Sequence, residues 1–444
     1  MSVKVFHILL IALSLSYRAS GLVEYQPEQV HLSYGDNPFE IVVTWSTVND
    51  TKESVVEYGI NGFTLRAFGE PELFVHPGHK KKQQYIHRVT LGNLTEDSKY
   101  VYHCGSNFGW SEVFWFRTPP LDQENWKPRL AVYGDLGNEN PQSLARLQSE
   151  TQRGMYDAIL HVGDFAYDLN TDGGRVGDEF MRQIESIAAY VPYMTCPGNH
   201  EEKHNFSQYK ARFSMPGGDK GTLMYSFNMG PIHFISISTE VYYFLEYGFK
   251  LVAKQFLWLE EDLKEAVMNR TEQPWIVVFG HRPMYCSNVG HNDCKSHETR
   301  TRAGLPVLNM FGLEDLFHKY GVDLMIWAHE HSYERMWPLY NYEVYNGSRT
   351  EPYHNPGAPI HITSGSAGCK ENITDFDHTP PDWSAFRSTD YGYMRLQPHN
   401  KTHLYLEQVS DDKDGMVIDH VWIVKDCHPT DFNYNSCGEY HPGD

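Results

Sequence analysis

Hydrophobic and polar positions follow two rhythms along this chain. From about Tyr25 to Arg117 apolar residues come in short strand-length runs: Ile41-Val42-Val43-Thr44-Trp45, Ser54 to Tyr58, Gln84 to Leu91, Lys99 to His103 and Val113 to Arg117. Turn residues such as Asn61-Gly62 separate the runs at short intervals, the pattern of a small β-sandwich. Thr118-Pro119-Pro120 then punctuates the chain and a polar stretch comes next, which predicts a domain boundary near residue 122.

Beyond Pro128 strands alternate with helices. Strands are predicted at Leu130 to Tyr133, Ala158 to Val162, Tyr193 to Cys196, Ile276 to Phe279 and Leu324 to Trp327. Helical periods cover Pro141 to Gly154, Glu179 to Tyr190, Ala253 to Met268 and most of Val307 to Tyr320. Phe256, Leu257, Leu263 and Val267 mark the apolar side of the third helix. Strands dominate again from about Pro359 to Val424, with no internal repeat. The expectation is a largely parallel or mixed sheet covered by helices, preceded by a small all-β sandwich. The predicted divisions are 1–21, 22–122, 123–354, 355–426 and a tail at 427–444.

Composition narrows the class. A chain of 444 residues has room for two or three domains, and 14% aromatic content excludes a disordered chain. The formal charge of -20 argues against nucleic-acid binding, which needs basic groups to neutralise phosphates. Any attraction for an anion must then be local, and metal ions would supply it. Lys4, the apolar run Val5 to Ser16 and the small residues Ala19-Ser20-Gly21 read as a signal peptide, 1–21, too short to span a bilayer. A secreted protein is expected, with the lysosome a second destination, and no membrane anchor. Sequons at Asn49, Asn93, Asn205, Asn269, Asn346, Asn372 and Asn400 point to glycosylation on the same route. Among seven cysteines, Cys286 with Cys294 and Cys427 with Cys437 stand close enough to close short loops, and the odd count leaves at least one thiol outside an intramolecular pair. Cys196, inside an apolar strand, is expected to be buried and inert.

The residues directly after the five predicted strands carry the chemistry. The strands are succeeded by Gly134-Asp135, by Gly163-Asp164-Phe165-Ala166-Tyr167, by Gly198-Asn199-His200-Glu201, by Gly280-His281 and by Ala328-His329-Glu330-His331. Ligands bind at the carboxyl ends of strands in open α/β sheets. If the strands are neighbours, Asp135, Asp164, Tyr167, Asn199, His281, His329 and His331 converge on one rim. Each fragment alone reads blandly, as a turn, a packed tyrosine or a loop histidine. Five metal-capable strand ends in one register are hard to obtain by chance.

The pattern resembles the binuclear metallophosphoesterases. Tyr167 three residues after Asp164, and the closing run Ala328 to Arg335, make it similar to the purple acid phosphatases, in particular their larger two-domain form. Ala328 stands where that family usually has glycine. The resemblance implies an α/β (α+β) sandwich of mixed sheets flanked by helices, preceded by an all-β domain of fibronectin-III/Ig-like type. It implies a ferric site from Asp135, Asp164, Tyr167 and His331, and a divalent site (Zn, Fe or Mn) from Asp164, Asn199, His281 and His329. It implies an acid phosphatase that uses hydroxide activated by this pair to hydrolyse a small phosphate monoester. His200 resembles the histidine that contacts the phosphate, and His291, or less readily His297, is a candidate proton donor. Phosphodiester or pyrophosphate cleavage, and a secreted binding protein with a silent site, are the competing readings. Tyr333-Glu334-Arg335 is expected to orient the His329–His331 loop, Met336 and Trp337 to lie in the core, and the run Ser364 to Gly368 either to line the pocket or to form a plain turn. Nothing in the sequence separates a monomer from a homodimer.

Overall fold

The computed structural model describes residues 23–78, 82–217, 223–290, 293–295, 299–306 and 310–434. The predicted signal peptide, His291, His297 and Cys437 lie outside these residues.

The first hundred described residues pair into two antiparallel sheets. One orders its strands Glu28–Tyr34, Ile41–Thr47, Gln83–Leu91 and Glu72–Val75. The other runs Leu65–Gly69, Ser54–Gly59, Lys99–Ser106 and Gly109–Trp110, with Phe114–Arg117 also on Lys99–Ser106. Trp45, Tyr102 and Phe116 fill the space between them, each at most 1% exposed. Residues 118–129 carry neither helix nor strand.

Two mixed sheets come next. The first orders Tyr193–Cys196, Ala158–Val162, Leu130–Tyr133, Gly392–Pro398, His403–Ser410 and Met416–Val424. The second orders Tyr225–Met229, Ile232–Ser236, Trp275–Phe279, Leu324–Trp327, Ile360–Ser364, Tyr333–Met336 and Ser384–Ser388. Each has a parallel heart: the strands starting at 130, 158 and 193 in one, and those starting at 232, 275, 324 and 360 in the other. The strands ahead of the candidate ligands are buried throughout, as their unbroken apolar runs require when both faces are covered. Those five strands do not form one rim of one sheet. Three belong to the first sheet and two to the second, and their carboxyl ends face each other across the sandwich.

Several expectations are corrected. Of the stretch predicted as helix at 307–320, the described residues give a strand Met310–Phe311, paired with Gly304–Leu305, and a short helix Glu314–Lys319. Phe311, in left-handed backbone (φ 66°), interrupts a helix ahead of Glu314. The helix expected at 179–190 spans Thr171–Ala188, with left-handed backbone at Asp172, Gly173 and Gly174 near its start. The helix Phe249–Met268 buries Val252, Gln255, Leu259, Leu263 and Ala266, while Leu257 is 61% exposed, so the apolar face is rotated from the predicted one.

Strand Glu28–Tyr34 packs against helix Thr171–Ala188 and joins the sandwich core to that of the sheets. Arg212, 1% exposed, bridges the two regions: it donates to Gln29 Oε1 (3.1 Å), Asp178 Oδ1 (2.8 Å) and the Gly174 carbonyl (3.0 Å). Cys286 and Cys294 are disulfide-bonded, as expected, and Cys427 is also in a disulfide. Cys104, Cys196 and Cys369 are free and buried. Among the described residues no helix is long and apolar enough to cross a membrane. Six of the sequon asparagines are exposed; Asn49 is half-buried and donates to Glu24 Oε2 (2.6 Å).

Candidate metal centre

All seven predicted ligand residues meet where the carboxyl ends of the two parallel hearts converge. They form two adjacent groups. In the first, the Tyr167 hydroxyl lies 3.1 Å from Asp135 Oδ1 and 2.8 Å from His331 Nε2, and His331 Nε2 lies 3.5 Å from Asp135 Oδ1. In the second, Asp164 Oδ2 lies 3.1 Å from His281 Nε2, and Asn199 Oδ1 is 3.2 Å from the same nitrogen. Donor atoms of Asp164, His281 and His329 all lie within 4.8 Å of one another. The groups are joined by backbone: the His329 N–H donates to Asp135 Oδ2 (2.9 Å) and the His200 N–H to Asp164 Oδ1 (2.9 Å).

The turns that present these donors are strained and tightly packed. Asp135, Asp164, Tyr167 and His329 take left-handed φ values of 58°, 51°, 54° and 70°, a region that costs a non-glycine residue about 1–3 kcal/mol. Neighbouring glycines give the donors room. A Cβ on Gly198 would sit 2.2 Å from Asp164 Oδ1, and one on Gly365 would sit 2.7 Å from Asp135 Oδ2. Gly365, within the run Ser364 to Gly368, therefore lines the site. Ala328 is accommodated because Gly134 opposes it: a Cβ on Gly134 would come within 2.4 Å of the Ala328 methyl.

Electrostatics favour cations here. Burial alone would lower the His281 pKa, but Asp164 outweighs it and holds the imidazole up at about 10. Burial is likewise outweighed at His331 by Asp135, giving about 12, and at His200 by Asp164 and Asp168, giving about 9. Asp164 is pulled below the ordinary carboxylate range against its burial, by His281 and His200. Burial, then Asp135 and Asp164, push the Tyr167 phenol well above its usual value, so its ionisation requires a cation beside it. Carboxylate and phenolate in the first group are hard anionic donors suited to Fe(III), and two imidazoles with an amide oxygen suit a divalent ion. The residues fit a two-metal centre.

His200 stands at the edge of both groups. Its Nδ1 is 3.1 Å from Asp168 Oδ1, its Nε2 3.7 Å from Glu371 Oε1, and its ring 4.5 Å from that of Tyr167. The Tyr333-Glu334-Arg335 reading is corrected in detail. Glu334 accepts from the Ser287 N–H (3.0 Å) and hydroxyl (2.6 Å), so it anchors the loop after His281. Tyr333 and Arg335 both bond Asp419. What fixes His331 is the Asn372 carbonyl, 2.8 Å from Nδ1. Met336 is buried, and Trp337 is half-buried.

Three contacts were not anticipated. Glu201 accepts from the N–H groups of Asp164 (2.9 Å), Phe165 (3.1 Å) and Gly198 (2.9 Å), pinning two ligand turns together. Cys369 Sγ lies 3.4 Å from His331 Nδ1. Arg282 and Asp293 both reach His329 Nε2, at 3.0 and 3.1 Å. The available signal was adjacency, since Arg282 follows His281 and Asp293 precedes Cys294.

Comparison with known proteins agrees with this geometry. Residues 27–118 match the purple acid phosphatase N-terminal domain, 128–333 the calcineurin-like phosphoesterases, and 358–420 the iron/zinc purple acid phosphatase-like protein C family. Acid phosphatase type 7 from Danio rerio is 58% identical over 414 residues, 91% of this chain and 93% of the relative. The Homo sapiens protein of that name is 56% identical over 421 residues, 94% and 95% of the two chains. Among solved structures, a purple acid phosphatase from yellow lupin (Lupinus luteus) seeds aligns with a TM-score of 0.74 at 25% identity, covering 90% of this chain and 75% of that one. With acid phosphatase type 7 relatives matched over nearly their full length, purple acid phosphatase domains matched at both ends and a site assembled as described, the chain belongs to the purple acid phosphatase family.

Proposed function

We propose that this chain is an acid phosphatase that hydrolyses phosphate monoesters at a binuclear centre of iron and a divalent metal. In this reading Asp135, Asp164, Tyr167 and His331 hold Fe(III), and Asp164, Asn199, His281 and His329 hold Zn, Fe or Mn in the divalent state. The observation that carries it is the meeting of two donor groups of different hardness, from two sheets, with Asp164 between them. When bound, the two ions supply an acidified nucleophilic water and neutralise the phosphoryl oxygens for in-line displacement.

The chain's own residues do the rest. The backbone N–H groups of His200 and His329 fix the Asp164 and Asp135 carboxylates and Glu201 holds the backbone of the Asp164 turn, so little reorganisation is left for the reaction. His200, braced by Asp168, extends its Nε2 into the site, where it meets a phosphate oxygen or the leaving group. The role of proton donor assigned to His291 stays a proposal from the sequence.

Parallel assays test the substrate class. Turnover of p-nitrophenyl phosphate should exceed that of bis(p-nitrophenyl) phosphate, with an acidic optimum; preference for the diester would overturn the monoester assignment. The seven sequons, the exposure of six of them and the Cys286–Cys294 disulfide support a secreted glycoprotein made in an oxidising compartment. A mass shift on glycosidase treatment of protein from culture medium checks this, and sedimentation distinguishes monomer from homodimer.

A further inference from the structure

Around the outer edge of the site runs a chain of three charged residues. Glu240, fully buried, accepts from Arg282 Nε through both oxygens, at 3.1 and 3.0 Å. Arg282 then donates through Nη1 to Asp293 Oδ2. The guanidinium is further fixed by the Tyr243 ring, 4.5 Å away, and the Arg282 N–H donates to Thr239 Oγ1 (2.9 Å). Tyr243 also donates its hydroxyl to the Asp293 carbonyl (3.3 Å). The end of this chain is His329: Asp293 Oδ2 lies 3.1 Å from Nε2, with Arg282 Nη1 3.0 Å from that nitrogen.

An N–H donor and a guanidinium cannot bond each other, but both bond one carboxylate. Asp293 is that shared acceptor if His329 carries its proton on Nε2 and meets an ion through Nδ1. A histidine ligand is commonly oriented in this way by a carboxylate on its other nitrogen, which fixes the tautomer and raises the ring's basicity. The residue after Asp293 packs against the same turn. Asp293 directly precedes Cys294, whose sulfur lies 3.2 Å from Glu330 Oε1, and Glu330 separates His329 from His331. At the other end of the disulfide, Ser287 is bonded to Glu334.

We propose that Asp293 is a positioning residue for His329, and that the Cys286–Cys294 loop thereby sets how tightly the divalent ion is held. The proposal rests on His329 being a ligand of that ion. It makes the loop a determinant of the divalent site alone, with the Asp135–Tyr167–His331 group left untouched.

The test uses the full-length enzyme loaded with iron and zinc. Zinc affinity is measured by competition with a chromophoric chelator while the visible phenolate-to-iron band reports the ferric site. Asp293→Asn should weaken zinc binding at least about 10-fold and leave the band unchanged. His329→Ala is the control for the ligand assignment and should weaken zinc further. Unchanged zinc affinity in Asp293→Asn beside a loss in His329→Ala overturns the proposal and spares the ligand assignment; unchanged affinity in His329→Ala overturns the assignment itself. Replacing both Cys286 and Cys294 by Ala should weaken zinc in the Asp293 background and add nothing in the Asp293→Asn background. Additive losses would contradict the claim that the loop acts through Asp293.

Discussion

At the scale of single residues, the site depends on small side chains as much as on ligands. Asp135, Asp164, Tyr167 and His329 all sit in left-handed backbone, and their strain persists only because hydrogen bonds and close packing over-determine each turn. Gly198 is the tightest of these contacts. A methyl group there would meet Asp164 Oδ1 at 2.2 Å and its amide nitrogen at 2.7 Å. Gly198→Ala should therefore move the carboxylate and lower kcat by about 100-fold while circular dichroism stays native; steady-state kinetics check this. The ligands were legible because each stands within five residues of the end of an apolar run, so counting along the chain finds them. Asp293 was not legible as a partner of His329, because that contact joins residues 36 apart through the folding of a loop. Nor did any local signal mark Leu257 as exposed, since helix rotation is set by what packs against it.

At the scale of elements, strands with both faces covered were read from sequence almost to the residue, because continuous apolar runs leave no ambiguity of register. The hairpin of Tyr225–Met229 and Ile232–Ser236 escaped notice, since polar residues alternate through it and Gly230-Pro231 reads as loop. Helix boundaries shifted wherever glycine or proline intervened. Strand Gln83–Leu91 carries a buried titratable group with a consequence for stability. His87 accepts bonds from, or donates to, Thr47 and Ser54 at 2.9 and 2.7 Å and stacks on Trp45 at 4.8 Å. Burial holds its pKa down at about 4, against 6.5 unperturbed. Between these values the unfolded chain binds a proton that the folded chain does not, so stability falls as pH drops through that window and is unaffected above it. The loss approaches about 3 kcal/mol by pH 4. Denaturant midpoints of His87→Gln should accordingly vary less with pH between 6.5 and 4 than those of the parent; parallel pH profiles would refute the assignment.

At the scale of the whole molecule, the β-sandwich and the two-sheet body share one continuous core, and Arg212 locks them together from a fully buried position. Arg212→Ala would take the guanidinium donor from Gln29 Oε1 and the Gly174 carbonyl and leave Asp178 Oδ1 only the longer bond from Gln29 Nε2 (3.3 Å); it should cost about 3 kcal/mol, read as a lower midpoint in denaturant. The body itself is built so that two parallel hearts end at one seam, and that seam is where donors from stretches almost 200 residues apart, Asp135 and His331, come within 3.5 Å. In the proposed reading this seam would hold two metal ions, with Asp164 serving both. Metal content per chain, measured with the visible spectrum and phosphatase turnover on parent protein and Asp164→Ala, tests it most directly. Close to two ions, a phenolate-to-iron band and acid phosphatase activity are expected in the parent, all lost in the variant. Fewer than one ion with no visible band in the parent, or full turnover in the variant, would contradict that reading.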